Sequence, residues 1–251
     1  MFPIRDDQPR STFPYVNYFI IAVNLAAFGY EISVGTHGRG ALSDLLHQYG
    51  VTPHNFELAF SGSSPYTISG VFLTIFTSMF LHSGWLHLIG NLWVLWIFGD
   101  NIEDHLGHVV YPIFYLVCGV LAAMTQIYAS PGSEIPSVGA SGAIAGVMGA
   151  FLLRYPQAKV QLLVIFAMLS NVVWVSAWVV LVYWLATQFL GVAWMQMLYA
   201  HTHKNFGGIA YWAHLGGFVS GMILIKVIPG HTQYKHGGWL AKDGREVLPK
   251  Q

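Results

Sequence analysis

Residues 139–142 read Gly139-Ala140-Ser141-Gly142, and they open an apolar run, AIAGVMGAFLL, at positions 143–153. Glycines on either side of a serine let the backbone bend tightly and expose the hydroxyl, as a nucleophile requires. The run that follows is apolar enough to lie in lipid or inside a helix bundle. This stretch therefore predicts a buried helix with Ser141 at its start. By itself it leaves open whether Ser141 is a nucleophile or a small packing residue of a membrane helix.

The composition of the whole chain is that of a membrane protein. Of its 251 residues, 55% are hydrophobic and only 9% are charged, whereas a soluble domain carries about 25% charged residues. The formal net charge is zero and no basic patch occurs, so nucleic acid is not an expected partner. The single Cys118 excludes an intramolecular disulfide and disfavours a thiolate metal cluster. We therefore expect a polytopic protein whose surroundings are the lipid bilayer.

Apolar runs that are candidates to cross a bilayer, which takes about 20 residues, divide the chain. Five of them stand at residues 15–34, 84–99, 109–129, 138–153 and 208–228. Residues 160–198 are apolar almost throughout and hold one span or two. Residues 71–81 are too short to cross and predict an interfacial or re-entrant segment. The total is therefore six or seven spans.

The distribution of positive charge favours six spans. With the N-terminus inside, the cytoplasmic segments hold Arg5, Arg10, Arg154, Lys159, Lys226, Lys235, Lys242, Arg245 and Lys250. The outer loops hold only Arg39 and Lys204, which is the asymmetry of the positive-inside rule. Seven spans would move the C-terminal positive charges outside. Residues 160–175 are then expected to be a loop against the bundle, broken at Ser170-Asn171.

Three parts of the chain follow from this count. Residues 1–14 are predicted to be a short cytoplasmic N-terminus. Residues 15–228 are predicted to be an all-α bundle of six transmembrane helices. Residues 229–251 are polar and are predicted to be a loosely ordered cytoplasmic tail.

Polar side chains inside a bilayer are costly, so those within the spans are candidates for function. His82 and His87 stand at the start of span two, with Asn91 one turn after His87, and Ser141 starts span four. His214 lies about one and a half turns into span six. Even-numbered spans run from outside to inside, so these residues share a depth about 5–10 Å below the outer surface. This alignment requires six spans and supports that count.

Small residues predict close contact between spans four and six. The residues spaced four apart are Gly142, Gly146 and Ala150 on span four, and Ala213, Gly217 and Gly221 on span six. Such patterns let two backbones approach closely in lipid. That approach would permit a hydrogen bond between Ser141 and His214. Without it, His214 would be a structural histidine that binds a neighbouring carbonyl.

Three motifs in this order resemble the rhomboid family of intramembrane serine proteases. They are His82-x4-His87-x3-Asn91, then Gly139-Ala140-Ser141-Gly142, then Ala213-His214-x2-Gly217-x3-Gly221. The similarity extends over about residues 15–228 and includes Glu103 and Gly107. It implies a six-span rhomboid-like bundle and substrates whose transmembrane segments contain small, helix-weakening residues near the outer interface. No cofactor or metal is implied.

The resemblance also implies a role for each motif residue. Ser141 would be the nucleophile and His214 the general base. His87 and Asn91 would form the oxyanion hole with the Ser141 backbone amide. His82 would support a loop, and the packing positions would be Gly139, Gly142, Gly217 and Gly221.

The chain departs from the family pattern at two places. Many members have a Trp-Arg pair in the first loop, where this chain has Leu73-Thr74. Some members have a tyrosine four residues after the nucleophile that stacks on the base histidine, where this chain has Ala145. The first departure bears on how the loop is anchored, and the second on how His214 is positioned.

The residues support the same chemistry without the family. A serine needs a neighbouring base before it becomes a good nucleophile, and soluble serine proteases add an aspartate that orients the histidine. Spans two, four and six contain no acidic residue. The predicted mechanism is therefore a Ser–His dyad in which packing holds His214.

Other chemistries fit the sequence less well. A membrane zinc protease needs His-Glu-x-x-His, and no His-Glu pair occurs. A metal transporter could use His82 with His87, or His201 with His203, but neither pair has carboxylate partners. A catalytically inactive, rhomboid-like protein that binds membrane clients would not need both Ser141 and His214. We therefore expect an intramembrane serine protease, multi-pass in the plasma (inner) membrane with both termini cytoplasmic; the physiological substrate and the oligomeric state stay open.

Overall fold

The computed structural model describes residues 2–62, 65–166, 169–202, 209–230, 232–235, 238–241 and 246–247. Its helices are α1 Tyr15–Gly35, α2 Arg39–Tyr49, α3 Pro53–Ser61, α4 Ile68–Thr77, α5 Trp85–Leu106, α6 Val110–Ala129, α7 Ser141–Arg154, α8 Ala177–Thr202 and α9 Tyr211–Val227. A short 3-10 turn, Ser78–Phe80, follows α4. The strands are β1 Phe2–Asp6, β2 Lys159–Phe166, β3 Leu169–Ser176, β4 Thr232–Lys235, β5 Gly238–Ala241 and β6 Glu246–Val247.

Six of these helices, α1 and α5 to α9, occupy the six predicted spans. Within the described part of the chain, α1, α6 and α8 are each long and apolar enough to cross a membrane. Helix α5 meets that criterion together with the segment Ile68–Phe80, from which it is bent by 79°. Helix α7 is apolar but has only 14 residues. The fold is therefore a mostly helical, multi-pass membrane bundle, and the number of crossings stays a prediction.

Helices α7 and α9 pack with their backbones in contact. A methyl group added to Gly217 would collide with the carbonyl oxygen of Gly142, and one added to Gly221 with the carbonyl oxygen of Gly146. Only residues without a side chain permit this approach. The close packing predicted for spans four and six is confirmed.

Residues 160–175 are not the predicted loop. They form the hairpin of β2 and β3, in which Val164 pairs with Asn171 and Ile165 with Ser170. The chain therefore reverses between Phe166 and Leu169 and not at Ser170-Asn171. Their β-branched side chains favour strands, and the pairing satisfies the backbone polar groups.

The hairpin recruits the N-terminus of the chain. Strand β1 pairs antiparallel with β2, which gives a three-stranded sheet in the order β1-β2-β3. One helix, α8, then follows, so the stretch 160–198 contains a single helix and not two. The tail at 229–251 also differs from the prediction, because β4, β5 and β6 pair there as an antiparallel sheet.

The long connection between α1 and α5 is anchored by apolar packing. Its buried cluster consists of Val51, Phe56, Ala59, Val71, Ile75 and Met79, which pack on partly buried residues of α6. Leu73 is mostly exposed, and the Thr74 hydroxyl donates to the carbonyl of Val71 in its own helix. The positions that hold Trp-Arg in many rhomboids therefore do not anchor this connection.

Carboxylates tie α1 to its neighbours at both ends. Glu103, at the end of α5, accepts hydrogen bonds from the backbone N–H groups of Val16 (3.0 Å) and Asn17 (2.7 Å). These N–H groups have no acceptor inside their own helix, because they belong to its first turn. At the opposite end of α1, Glu31 accepts from the backbone N–H of His82 at 3.0 and 3.2 Å. The carboxylates thus set the position of α1 against α5 and of the loop that contains His82.

Candidate active site

Ser141 and His214 lie at the matching ends of α7 and α9. Ser141 is the first residue of α7, as predicted, and its hydroxyl lies 2.7 Å from Nε2 of His214. His214 is in the first turn of α9 and not one and a half turns into the helix, because α9 begins at Tyr211. The glycine contacts between the two helices bring their N-terminal ends together. The structure therefore forms the hydrogen bond that the sequence predicts.

The second ring nitrogen of His214 has a partner that the sequence analysis missed. Nδ1 of His214 lies 2.8 Å from Oε1 of Gln188 on α8, and both side chains are buried. The amide oxygen can only accept, so Nδ1 carries the proton and Nε2 is left to accept from the Ser141 hydroxyl. His214 is thus held by a hydrogen bond as well as by packing. A polar side chain in the apolar run of span five was the available signal.

Trp184, which lies on α8 with Gln188, packs on the ring of His214. The two ring centroids are 5.7 Å apart with 38° between the planes, and Trp184 also lies 6.0 Å from the ring of Phe218. Ala145, which stands where some rhomboids have a stacking tyrosine, is fully buried and small. An aromatic ring from α8 therefore packs beside the histidine that Ala145 on α7 cannot reach.

His87 and Asn91 face the space beside Gly139. The Ser83 backbone N–H donates to Nδ1 of His87 at 3.4 Å, which places the imidazole proton on Nε2. A Cβ on Gly139 would lie 2.7 Å from that Nε2 and 3.6 Å from Nδ2 of Asn91. Among the described residues, Asn91 Nδ2 is buried without a hydrogen-bond partner. Two donors therefore converge on a space that exists because residue 139 has no side chain.

Gly139 thus differs from the other glycines of the motifs. Its φ of 125° is a conformation that favours glycine, and its N–H donates to the carbonyl of Ser78 at 2.8 Å. Gly142, Gly217 and Gly221 are packing positions, as predicted, because an added methyl group at each would meet a neighbouring helix. The missing side chain of Gly139 instead leaves a space that His87 and Asn91 face.

His82 lies in the loop before α5, next to His87. Its ring contacts the His87 ring edge-on at 5.2 Å, and its backbone is bound by Glu31. This position fits the loop-supporting role that the resemblance implies. Over the residues that the structure describes, no group of three or more His, Cys, Asp or Glu side chains is placed to hold a metal ion. His203 lies outside the described residues.

A small cavity of about 40 Å³ adjoins Ser141. Its lining includes Gly119, Ala122, Gly142, Ala143 and Ala213, with the polar side chains of Ser78 and Gln126. Gln126 also accepts from the backbone N–H of Ala213 at 3.2 Å and so holds the first turn of α9. The space next to the serine hydroxyl is therefore narrow, mostly apolar, and bounded by small residues.

The sequence pattern of the Rhomboid domain matches residues 69–230, which is more than half of the chain. This chain belongs to the rhomboid family. Among curated rhomboids it is similar to Rhomboid protein 1, mitochondrial, of Saccharomyces cerevisiae, with 30% identity over 60% of this chain and 40% of the yeast protein. The site described above lies within the matched range.

Two further relatives give shorter matches. Presenilin-associated rhomboid-like protein A, mitochondrial, of Danio rerio is 32% identical over 37% of this chain and 25% of its own length. RHOMBOID-like protein 6, mitochondrial, of Arabidopsis thaliana is 37% identical over 31% of this chain and 25% of its own length. The match to this rhomboid thus spans less than half the length of each of these curated relatives.

Proposed function

We propose that this rhomboid is an intramembrane serine endopeptidase that cleaves transmembrane segments of membrane proteins. The observation that carries the proposal is the 2.7 Å contact between the Ser141 hydroxyl and His214, with the donors His87 and Asn91 nearby. A serine hydroxyl that is hydrogen-bonded to an unprotonated imidazole nitrogen is an activated nucleophile. A protein that only binds membrane clients would have no use for this arrangement.

Each residue of the site has a role in a step of peptide-bond hydrolysis. His214 Nε2 takes the hydroxyl proton as Ser141 Oγ attacks the scissile carbonyl, and later gives the proton to the leaving amine. Nε2–H of His87, the Asn91 amide and the Ser141 backbone N–H donate to the oxygen that becomes negative. A water molecule that gives a proton to His214 then attacks the acyl carbon, and His214 returns that proton to Ser141 Oγ as the bond to the acyl group breaks. No step requires a cofactor or a metal.

The substrate side of the proposal rests on the cavity beside Ser141. Its small volume and its alanine and glycine lining suit a small side chain next to the scissile bond. The scissile carbonyl must also be reachable, and an intact helix hides it in its own hydrogen bonds. Transmembrane segments with small, helix-weakening residues near the membrane surface meet both requirements.

The proposed location is a membrane, without assignment to a particular one. The relatives named above are mitochondrial by name, so the comparisons do not support the plasma membrane expected from the sequence. We propose an integral, multi-pass placement in which both termini lie on the side rich in Lys and Arg.

The deciding experiment is proteolysis of a model transmembrane substrate by purified protein in liposomes. Ser141→Ala and His214→Ala should each abolish cleavage, and the double variant should be no worse, because the two groups act as one unit. Ser220→Ala is the matched control, since the Ser220 hydroxyl only donates to Gly216 within α9. Substantial turnover by Ser141→Ala would refute the proposal, and retention of uncleaved substrate by the wild type would indicate a client-binding protein.

A further inference from the structure

The amide of Gln188 is fixed in one orientation by its surroundings. Its nitrogen lies 2.9 Å from the Thr187 hydroxyl oxygen and 3.1 Å from the Trp184 carbonyl oxygen. The Thr187 hydroxyl itself donates to the Trp184 carbonyl at 2.6 Å, so its oxygen is free to accept from the amide. With both amide hydrogens directed toward acceptors, Oε1 must be the atom that faces His214.

This arrangement connects the side chains of Ser141, His214 and Gln188, and beyond them Thr187 and Trp184, by hydrogen bonds that all donate in one direction. Ser141 donates to Nε2 of His214, Nδ1–H of His214 donates to Oε1 of Gln188, and the Gln188 amide donates to Thr187 and Trp184. Imidazole has two neutral tautomers, and only the one protonated at Nδ1 can accept the serine proton. A buried amide oxygen opposite Nδ1 selects that tautomer and fixes the ring plane.

We propose that Gln188 is the positioning residue of this rhomboid, the third member of a Ser141–His214–Gln188 relay. It occupies the place that a carboxylate has in soluble serine proteases, but as a neutral group. A neutral acceptor suits a site within a bilayer, where an additional buried charge is costly. The proposal rests on the proposed protease function and assigns Gln188 no contact with the substrate.

The test compares Gln188→Met with Gln188→Glu in the transmembrane-substrate assay. Methionine has a similar length but offers no comparable acceptor, so kcat should fall about 10²-fold, the lower end of what general-base catalysis contributes. KM should be unchanged, because Gln188 acts on His214 alone. Glutamate in its neutral, protonated form keeps an acceptor oxygen for Nδ1 and one donor for Thr187 or Trp184, and it adds no buried charge, so it should return kcat to within about 10-fold of the wild type.

Gln196→Met is the matched control, since it makes the same substitution at an exposed position of the same helix. A second measurement, the rate at which a fluorophosphonate probe labels Ser141, reports serine activation without a substrate. Gln188→Met should slow labelling and Gln196→Met should not.

The outcomes separate the relay from the protease function. If Ser141→Ala is inactive while Gln188→Met matches Gln196→Met in kcat and labelling, the relay is refuted and the dyad stands. If Gln188→Met and Gln188→Glu both lose activity together with thermal stability, Gln188 is a packing residue and the relay is also refuted. Turnover that survives Ser141→Ala refutes the protease function itself.

Discussion

At the scale of single residues, two glycines of the connection between α6 and α7 differ in what surrounds them. Gly132 has a φ of 70° and nothing closer than 4.0 Å to the position of an added Cβ. Gly139 has a φ of 125° and the His87 ring 2.7 Å from that position. A side chain at position 132 would therefore cost only backbone strain, whereas one at position 139 would also collide with the His87 ring.

Gly139→Ala should displace His87 and lower the cleavage rate of the folded protein by about 10²- to 10³-fold, the loss expected when one oxyanion donor is removed. Gly132→Ala should cost about 1–2 kcal/mol of stability from its left-handed backbone and leave the rate unchanged. Specific activity and thermal unfolding of both variants check this. Equal rates for the two variants would show that Gly139 is not needed to open the oxyanion site.

Asn91→Ala should lower the cleavage rate by about 10²-fold at most, because His87 and the Ser141 amide remain as donors. His87→Ala should be similar or somewhat worse. Asn171→Ala, at an exposed position of β3, is the control and should behave as the wild type. A loss from Asn91→Ala as complete as that of Ser141→Ala, with intact folding, would give Asn91 a more central role than one donor among three.

At the scale of elements, the site depends on how closely α7 and α9 pack. The carbonyl oxygens of Gly142 and Gly146 occupy the places where side chains of residues 217 and 221 would be. Packed backbones cannot yield to an extra methyl group as a flexible side chain can. The distance between Ser141 and His214 is therefore set by these glycines further along the two helices.

Gly217→Ala should separate α7 from α9, cost about 1–3 kcal/mol through overpacking, and reduce cleavage because the Ser141–His214 contact lengthens. Gly29→Ala is the control, since nothing lies within 4 Å of an added methyl group on α1. Thermal unfolding in detergent and the cleavage rate are the measurements. Wild-type stability and activity in Gly217→Ala would contradict the packing described here.

At the scale of the whole molecule, the sheet couples the N-terminus to the connection between α7 and α8. Strand β1 pairs with β2, so both must lie on one side of the membrane. Ser141 and His214 both lie at the N-terminal ends of their helices, whereas β2 follows the C-terminal end of α7. A seven-span arrangement would separate these two residues by the thickness of the bilayer, so the 2.7 Å contact between them favours the predicted six spans.

Cysteine labelling with a membrane-impermeant maleimide tests this arrangement. Asp44→Cys on α2 should be labelled from the outer face, and Asn171→Cys on β3 only after permeabilisation, since both positions are exposed. Lys242→Cys, outside the described residues, should behave like Asn171→Cys. The native Cys118 is buried and should give little background. Labelling of Asp44→Cys and Lys242→Cys from the same face would overturn the six-span topology.

The sequence by itself determined the membrane class, the positions of the helices α1 and α5 to α9, and the pairing of Ser141 with His214. These follow from local patterns: long apolar runs, small residues four apart, and the rare polar residues Ser141 and His214 within them. Each pattern can be recognised because the residues that form it lie within one helix, even where small residues four apart act on the packing of two helices.

Only the tertiary structure decided what surrounds Ser141 and His214. Gln188 and Trp184 contact His214 because α8 is rotated to face α9, and helix rotation is not encoded in a run that is apolar all round. The hairpin of β2 and β3 was also missed, because an apolar stretch without clear periodicity fits a strand as well as a loop against the bundle. The role of Gly139 could be recognised only in the structure, because the space left by its missing side chain matters only through the His87 ring that lies next to it.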